Sequence, residues 1–464
     1  MLFGQCLLAQ VSQRDLDILL RDPQVQGASL GLQVVQLSSG RSLLSLDPER
    51  RLRPASTLKL ITTATALEVL GPAYRFETTL AYRGDLKDGR LRGDLILLGG
   101  GDPCLGSPDM PGVAPMADQL EKFRLLVQQA GIRRIEGAVM SNTNYCQVQG
   151  PLPSWQWSDI ANYYGAGAWA INIHDNLYYL DFQRSGRQGD RAQVQGYYPE
   201  IIDLQIRSEV RQAGPRSGDQ AYIYGTPQTY RRVIRGQIPV GRGKFTIKGS
   251  MPDPPLQLAQ FLVEELERIG IAVSEGAAVE SSDAGNIRVL YREQSPDLRA
   301  ILRQTNYESV NLYAEAICQA ISLRLRGTCD EAAGALLQHW QERGLTGSTA
   351  YLADGSGLSA RNSISANLMV AILAKAAERD AETLLSLIPR AGHSGNLRGK
   401  FRGTAAQGRL YAKSGTIGAV RSYAGFLDLP EQGLCAFTLL INDFSGSGGS
   451  LRRKMDDFLL RLFE

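Results

Sequence analysis

The sequence of 464 residues predicts an α+β protein whose helix- and sheet-forming ends enclose a long, strand-rich insertion. Three observations predict it. Near the N-terminus, two alternating runs, SLGLQVVQL and RSLLSL, flank Ser38-Ser39-Gly40, which is a β-hairpin signal. Past about Ser295 helical patterns dominate, then two alternating strands, Arg421–Leu427 and Leu434–Ile441, precede a closing amphipathic helix over Leu451–Phe463. Between these ends the texture is cut by glycines, and Arg184–Gly249 is polar, turn-rich and strand-like. A chain of this length exceeds what one core usually serves, so two or three domains are expected.

The elements follow in order. Ser12–Arg21 reads as a short amphipathic helix, and the hairpin's second strand leads through Asp47-Pro48 into RLRPASTLKLITTATALEVL, Arg51–Leu70. That stretch carries a helical apolar pattern at Leu60, Ile61, Ala64 and Leu67. Short strands are expected at Glu77–Tyr82, Asp94–Leu98 and Ile135–Met140, with a helix at Pro115–Ala130. Gly99-Gly100-Gly101 is turn chemistry, since neither G-K-[ST] nor G-x-G-x-x-G accompanies it. Ser154–Asp181 is rich in aromatics, strands are expected at Gln220–Tyr224 and Lys244–Lys248, and a helix at Pro255–Ile269. Helices then follow at Asn306–Leu325, Asp330–Arg343 and Ser365–Arg379, the last with Ser365 as its N-cap.

Composition narrows the function. Hydrophobic residues at 43% and charged residues at 21% are ordinary for a globular protein. A net charge of +3 with scattered arginines gives no case for nucleic acid. The six cysteines form no C-x-x-C pair, so zinc-type spacing is missing and no metal is expected. Cys104–Cys146 and Cys318–Cys329 are candidate bridges, with buried free thiols the alternative. The opening MLFGQCLLAQVSQ has a short apolar run but no basic flank. It reads as the remnant of an export signal, a mis-assigned start, or the lead-in to the first helix.

Chemistry enters at Ser56 and Lys59. Three residues apart on a helix, they stand one turn apart on the same face, so hydroxyl and amine can meet. A helix start adds a free backbone N–H and a positive dipole end. Such a turn offers a nucleophile, a base and half an oxyanion site. With nine lysines against 41 arginines, Lys59 is the only lysine with a serine three residues before it. A second element is Ser309-Val310-Asn311. S-x-N also occurs at Ser365–Asn367 and Ser394–Asn396, but Ser365 serves as a helix cap and Ser394 sits in the loop AGHSGNLRG. Ser309 lies where a turn enters a buried helix, able to aim both side chains at one point. The third element, Lys413-Ser414-Gly415-Thr416, is the only K-[ST]-G and lies on an alternating strand. Gly415 would let an extended peptide lie close beside that strand.

Together S-x-x-K, S-x-N and K-[ST]-G resemble the signature of serine D-alanyl-D-alanine carboxypeptidases/endopeptidases, the class C low-molecular-mass penicillin-binding proteins. LADGSGLSARN (Leu352–Asn362) and AGHSGNL (Ala391–Leu397) match the same family, and the likeness spans nearly the whole chain. The resemblance implies a penicillin-binding (β-lactamase-like) domain, a central antiparallel sheet flanked by helices, from residues 1–75 and 290–464. It implies an inserted mixed α/β domain, 76–164 and 250–289, and nested within it a mainly β domain, 165–249.

By the same resemblance, Ser56 attacks a peptidoglycan stem peptide between its last two D-alanines, and Lys59 accepts the proton. Ser309 relays a proton, and Asn311 holds Lys59 and the substrate amide. Lys413, Ser414 and Thr416 bind the terminal carboxylate, and the N–H groups of Ser56 and Thr416 form the oxyanion hole. Neither cofactor nor metal is required, and β-lactam antibiotics are the implied inhibitors. Burial and cationic neighbours are needed to depress the Lys59 pKa, and Lys413 is expected to push it the right way. Asp159, in the W-x-W-x-D context Trp155–Asp159 with Tyr164 beside it, would grip a free amino group on the stem; a solvated Asp beside packed tryptophans is the alternative. Asp354 and Arg361 read as fixing a loop. The reaction implies a periplasmic or otherwise extracytoplasmic location, with room for peripheral membrane association. A β-lactamase or esterase of the same superfamily, and a non-catalytic peptidoglycan-binding protein, are the alternative readings.

Overall fold

The computed structural model describes residues 13–146, 150–346 and 350–464, so the reading of the N-terminal leader and of Cys6 lies outside the described residues. The chain forms two compact units. One comprises residues up to Ala73, Leu298–Gly327 and Glu331–Glu464; the other comprises Tyr74–Asp297 with Thr328–Asp330.

The first unit is built on a five-stranded antiparallel sheet. Its strands are β1 (Ser29–Gln36), β2 (Ser42–Leu46), β3 (Leu410–Ile417), β4 (Val420–Leu429) and β5 (Gly433–Asn442), in the order β3-β4-β5-β1-β2. Its helices are α1 (13–20), α2 (Lys59–Val69), α3 (Leu298–Tyr307), α4 (Asn311–Arg326), α5 (Ala332–Glu342), α6 (Ala366–Ser386) and α7 (Gly448–Arg461). Strand alternation divides the apolar side chains between two faces. Leu32, Val34, Phe437, Leu439 and Ile441 pack with Leu16 and Leu19 of α1 and Leu451, Met455 and Phe458 of α7. The other face meets α6, and α2 packs among α4, α5 and α6. The alternation expected over Leu434–Ile441 is not what β5 holds: LCAFTLLI is almost continuously apolar and buried, because the sheet is covered on both faces. Each fully buried leucine or phenylalanine there contributes about 1.5–3 kcal/mol.

The second unit holds a seven-stranded sheet on the hairpin Glu77–Lys87/Arg90–Leu98, with helices Met116–Gln129 and Pro254–Glu267. Two smaller sheets form around Leu177–Gln183 and Arg231–Pro239. One apolar cluster, from Leu80 through Phe182 and Ile234 to Leu262, runs through the unit. No described helix of the protein is long and apolar enough to cross a membrane.

Several expectations are corrected. The helix expected over Asn306–Leu325 is two, α3 and α4, because Ser309 adopts φ +62, a left-handed conformation that a helix interior does not hold. The strand expected at Ile135–Met140 splits into Arg134–Ile135 and Val139–Asn142. Gly137 lies between them, where a Cβ would come within 2.3 Å of Asp94 Oδ1. The disulfide joins Cys146 to Cys329 and matches neither expected pair; Cys104 and Cys318 are buried free thiols. Bridge partners are set by tertiary proximity, which spacing along the chain does not reveal. Ser365 does cap its helix, its Oγ accepting from Leu368 N–H at 3.1 Å. That helix runs past Arg379 to Ser386 through a non-helical Asp380.

Candidate active site

Ser56 lies in a turn of 3₁₀ helix, Ala55–Leu58, that runs directly into α2 at Lys59. It is therefore a residue of the first turn rather than an N-cap. The turn is held from outside by the sheet. The Pro54 carbonyl accepts from Ser422 Oγ of β4 at 2.6 Å and from Thr57 Oγ1 at 2.7 Å, and Arg53 N–H donates to Asn442 Oδ1 at 2.9 Å. Ala55, just before the serine, has φ +49. A non-glycine residue there costs about 1 kcal/mol, and the surrounding contacts hold it. A Cβ on Gly357 would come within 2.0 Å of the Ala55 carbonyl oxygen, so glycine is required against this turn.

Lys59 is 0% exposed, and its amine has three partners. Nζ lies 2.6 Å from Asn311 Oδ1, 2.7 Å from the Ser356 carbonyl oxygen and 3.2 Å from Ser56 Oγ. The first two are carbonyl oxygens and can only accept. A neutral amine has two N–H bonds and one lone pair; with both hydrogens taken by carbonyls, the lone pair faces Ser56 Oγ–H. Burial brings the Lys59 pKa down to about 8, while Asp354 and Glu315 pull the other way. Desolvation, not Lys413, is thus the leading cause.

Ser309 enters from the bend between α3 and α4. Its Oγ accepts from Lys413 Nζ at 2.9 Å, and Asn311 at the start of α4 reaches Lys59. The left-handed bend lets side chains two residues apart serve both lysines. Lys413 is also 0% exposed; burial, then Lys59 and Arg452, push its pKa well below the ordinary value. Lys413 lies on β3, an edge strand. The outer edge of β3 is bridged at Tyr411 by Arg390, and Ala412 N–H donates to the Pro389 carbonyl. Beyond Ala412 no described strand pairs with that edge, so it opens at Lys413. Gly415 has a reason beyond the substrate. A Cβ there would lie 2.2 Å from Ser422 Oγ and 2.8 Å from the Pro54 carbonyl oxygen, so the strand packs directly on the Ser56 turn.

Three stretches far apart along the chain thus meet in two hydrogen-bonded sets, Ser56 and Asn311 on Lys59 and Ser309 on Lys413, joined by the bend that carries Ser309 and Asn311, with Ser414, Gly415 and Thr416 following Lys413 on β3. A model of the D-Ala-D-Ala carboxypeptidase 3 (S13) family matches residues 12–462. The chain belongs to this family. It is a serine-type D-Ala-D-Ala carboxypeptidase, a hydrolase of the class C penicillin-binding proteins.

The S13 carboxypeptidase is similar to the D-alanyl-D-alanine carboxypeptidase of Actinomadura sp. (strain R39). The two are 30% identical over 456 residues, covering 94% of this chain and 81% of that protein. Its fold is similar to the crystal structure of penicillin binding protein 4 (dacB) from Haemophilus influenzae. There the TM-score is 0.82 at 21% identity, over 96% of this chain and 98% of that one. A more distant likeness is Bd3459, a predatory peptidoglycan endopeptidase from Bdellovibrio bacteriovorus. Its TM-score is 0.51 at 14% identity, over 94% of this chain and 92% of that one.

Two side chains at the S13 site escaped the sequence reading. Asn396, from the S-x-N set aside as a loop, donates Nδ2–H to Ser414 Oγ at 2.6 Å. Arg452 of α7 donates to the Gly415 carbonyl at 2.5 Å and to Thr416 Oγ1 at 3.0 Å, placing a second cation beside Lys413. The AGHSGNL phrase was a signal for the first. Nothing marks Arg452 among 41 arginines.

Asp159 belongs to the second unit. Its carboxyl accepts from Tyr164 Oη at 3.3 Å, and burial raises its pKa. Trp157 is exposed and stacks on Tyr224 at 4.9 Å between ring centroids, whereas Trp155 is buried.

Proposed function

We propose that Ser56 is the nucleophile, that Lys59 is its general base, and that the substrate is a peptidoglycan stem peptide ending in D-Ala-D-Ala. The observation that carries this reading is the Lys59 amine, whose two carbonyl partners leave its lone pair toward the Ser56 hydroxyl. The Ser56 proton passes to Lys59 as Oγ bonds to the carbonyl carbon, and the N–H groups of Ser56 and Thr416 hold the oxyanion. The C–N bond then breaks, the departing amine takes the proton that Lys59 accepted, relayed through Ser309, so that Lys59 is neutral again, and D-alanine leaves. Water, losing its proton to Lys59, cleaves the ester and restores Ser56.

Lys413, with the hydroxyls of Ser414 and Thr416, receives the terminal carboxylate. Asn311 steadies both Lys59 and the scissile amide. The open edge of β3 supports a substrate that lies as an added strand. When the leaving amine belongs to a cross-link instead of a free D-alanine, the same acyl-enzyme makes the protein an endopeptidase. β-Lactams acylate Ser56 and are retained. The work is done outside the cytoplasm, where peptidoglycan lies, with room for peripheral association with the membrane. Incubation with a labelled penicillin and with a stem pentapeptide tests the whole reading. A long-lived adduct on Ser56 and released D-alanine are expected; rapid hydrolysis of the penicillin would favour a β-lactamase.

Protonation sets a second expectation. Lys59 must be neutral, and its pKa is brought down to about 8, so acylation rises with pH through that region. Lys413 must be charged to meet a carboxylate, yet burial holds its pKa low. The substrate carboxylate favours the cation, so binding takes up a proton and weakens as pH rises. The profile of kcat/KM against pH is therefore expected to be bell-shaped. Its alkaline limb should vanish for a peptide amidated at its C-terminus, and an alkaline limb that persists would exclude this role for Lys413.

Asp159 grips the free amino group of the stem's diamino acid. Its half-buried carboxyl, bonded to Tyr164 and two residues along the chain from the exposed Trp157, supports this. Asp159→Asn is expected to lower kcat/KM about 10-fold for stem peptides with that amine free, the worth of one charged hydrogen bond. Peptides with the amine acylated should respond less. We also propose that 165–249 is a nested domain within 76–164 and 250–289. In support, the two small sheets are drawn almost wholly from the former and the seven-stranded sheet from the latter, although Ile287–Gln294 crosses the 289/290 boundary.

A further inference from the structure

The Lys59 lone pair is aimed by the Ser356 carbonyl, and Ser356 lies on a short buried loop, Asp354–Ser359, whose backbone is held almost entirely by side chains. Gly355 and Ser356 N–H both donate to one carboxyl, that of Glu315 on α4, at 3.1 and 2.8 Å. Gly357 and Ser359 N–H donate to Asp354, which also accepts from Asn362 Nδ2. On the opposite side, the Gly355 carbonyl accepts from Thr62 Oγ1 of α2 at 2.6 Å, one turn beyond Lys59. A Cβ on Gly355 would lie 2.6 Å from Cys318 Cβ and 3.0 Å from the Ala314 carbonyl oxygen, so the loop is pressed onto α4.

Glu315 is 5% exposed, and its hydrogen bonds to this loop place it one peptide unit from the atom that orients the base. Apolar burial alone would place a leucine at this position. A carboxyl there is costly unless its oxygens are used, and both are used on the loop. We propose that Glu315 is a positioning residue, which fixes the Ser356 carbonyl so that the Lys59 lone pair faces Ser56. The proposal rests on the reading of Ser56 and Lys59 as nucleophile and base.

Glu315 faces Lys59 from α2, Asp354 from the loop and Cys318 from its own helix, with Lys413 beyond Lys59. Burial, then Asp354, raises the Glu315 pKa to about 8, and its charge in turn raises that of Lys59. Gln carries no charge at any pH, so the Lys59 pKa should fall by what the ionised fraction of Glu315 contributes, while the loosened loop slows the reaction at every pH.

The test measures acylation by a labelled penicillin, its final stoichiometry counting the folded sites and its rate followed across pH. Glu315→Gln is expected to reach full stoichiometry with a plateau rate about 10-fold lower, part of the usual worth of a placed base. The midpoint of its acid limb should fall by about half a pH unit or more. Thr62→Val loosens the same loop and leaves the carboxyl in place; a slower plateau with an unmoved midpoint is expected. An unchanged plateau and midpoint in Glu315→Gln would overturn the proposal. Should that variant not fold, an unchanged plateau in Thr62→Val overturns it instead. Failure of the underlying reading would look different: the unsubstituted protein would form no adduct on Ser56.

Discussion

Ser56→Ala is expected to lower D-alanine release by at least about 10⁴-fold, the scale of loss seen when a serine nucleophile is removed. The labelled-penicillin adduct should disappear with it. The substitution deletes one oxygen from a turn whose shape is set by Pro54, Thr57 and Ser422, so the melting temperature should hardly move. Lys59 keeps its bonds to Asn311 and Ser356. Mass spectrometry of the intact protein after penicillin treatment, with calorimetry beside it, reads both outcomes. An adduct of unchanged mass and yield on the alanine variant would move the nucleophile elsewhere and remove the basis of the proposed mechanism.

Lys59→Met should separate chemistry from stability. Methionine nearly matches the buried stem, so packing is retained. Acylation by penicillin is expected to slow by about 10⁴-fold, equivalent to about 5 kcal/mol of activation free energy. Two effects on stability oppose each other. The variant escapes the desolvation that lowers the amine's pKa, but it takes the lysine away from Asn311 Oδ1 and the Ser356 carbonyl, at about 1–3 kcal/mol for each buried hydrogen bond lost. A modest net loss of stability is expected beside a near-complete loss of rate. If rate and melting temperature fall together in proportion, the lysine is a structural group and not the base.

The parts of the site that could be read in advance are those whose geometry is local. Ser56 and Lys59 meet because three residues along a helical turn bring side chains to one face, and Lys413 and Gly415 share a strand for the same kind of reason. Ser309 stands apart from the other two S-x-N matches by local context too, a turn entering a buried helix. The break between α3 and α4 was hidden by apolar residues that continue on both sides of it, and only the positive φ of Ser309 discloses it. Asp354 was legible as a loop-fixing residue from its phrase of glycines and serines. Its partner in that task, Glu315, reads in the chain as one more helix position.

From sequence alone came the Ser56–Lys59 turn proposed to hold nucleophile and base, the K-S-G strand proposed to bind a carboxylate, the α+β class and the presence of a long insertion. Each depends on periodicity or spacing within a few residues. Tertiary structure decided the rest: that Lys59 and Lys413 are buried, that Arg452 and Asn396 reach the K-S-G strand, that Cys146 pairs with Cys329, and that Glu315 stands behind the Ser356 carbonyl. The physical reason is desolvation together with distance. Burial and hydrogen bonds between residues hundreds of positions apart set the lysine's charge and the direction of its lone pair, and neither quantity exists until the chain has folded.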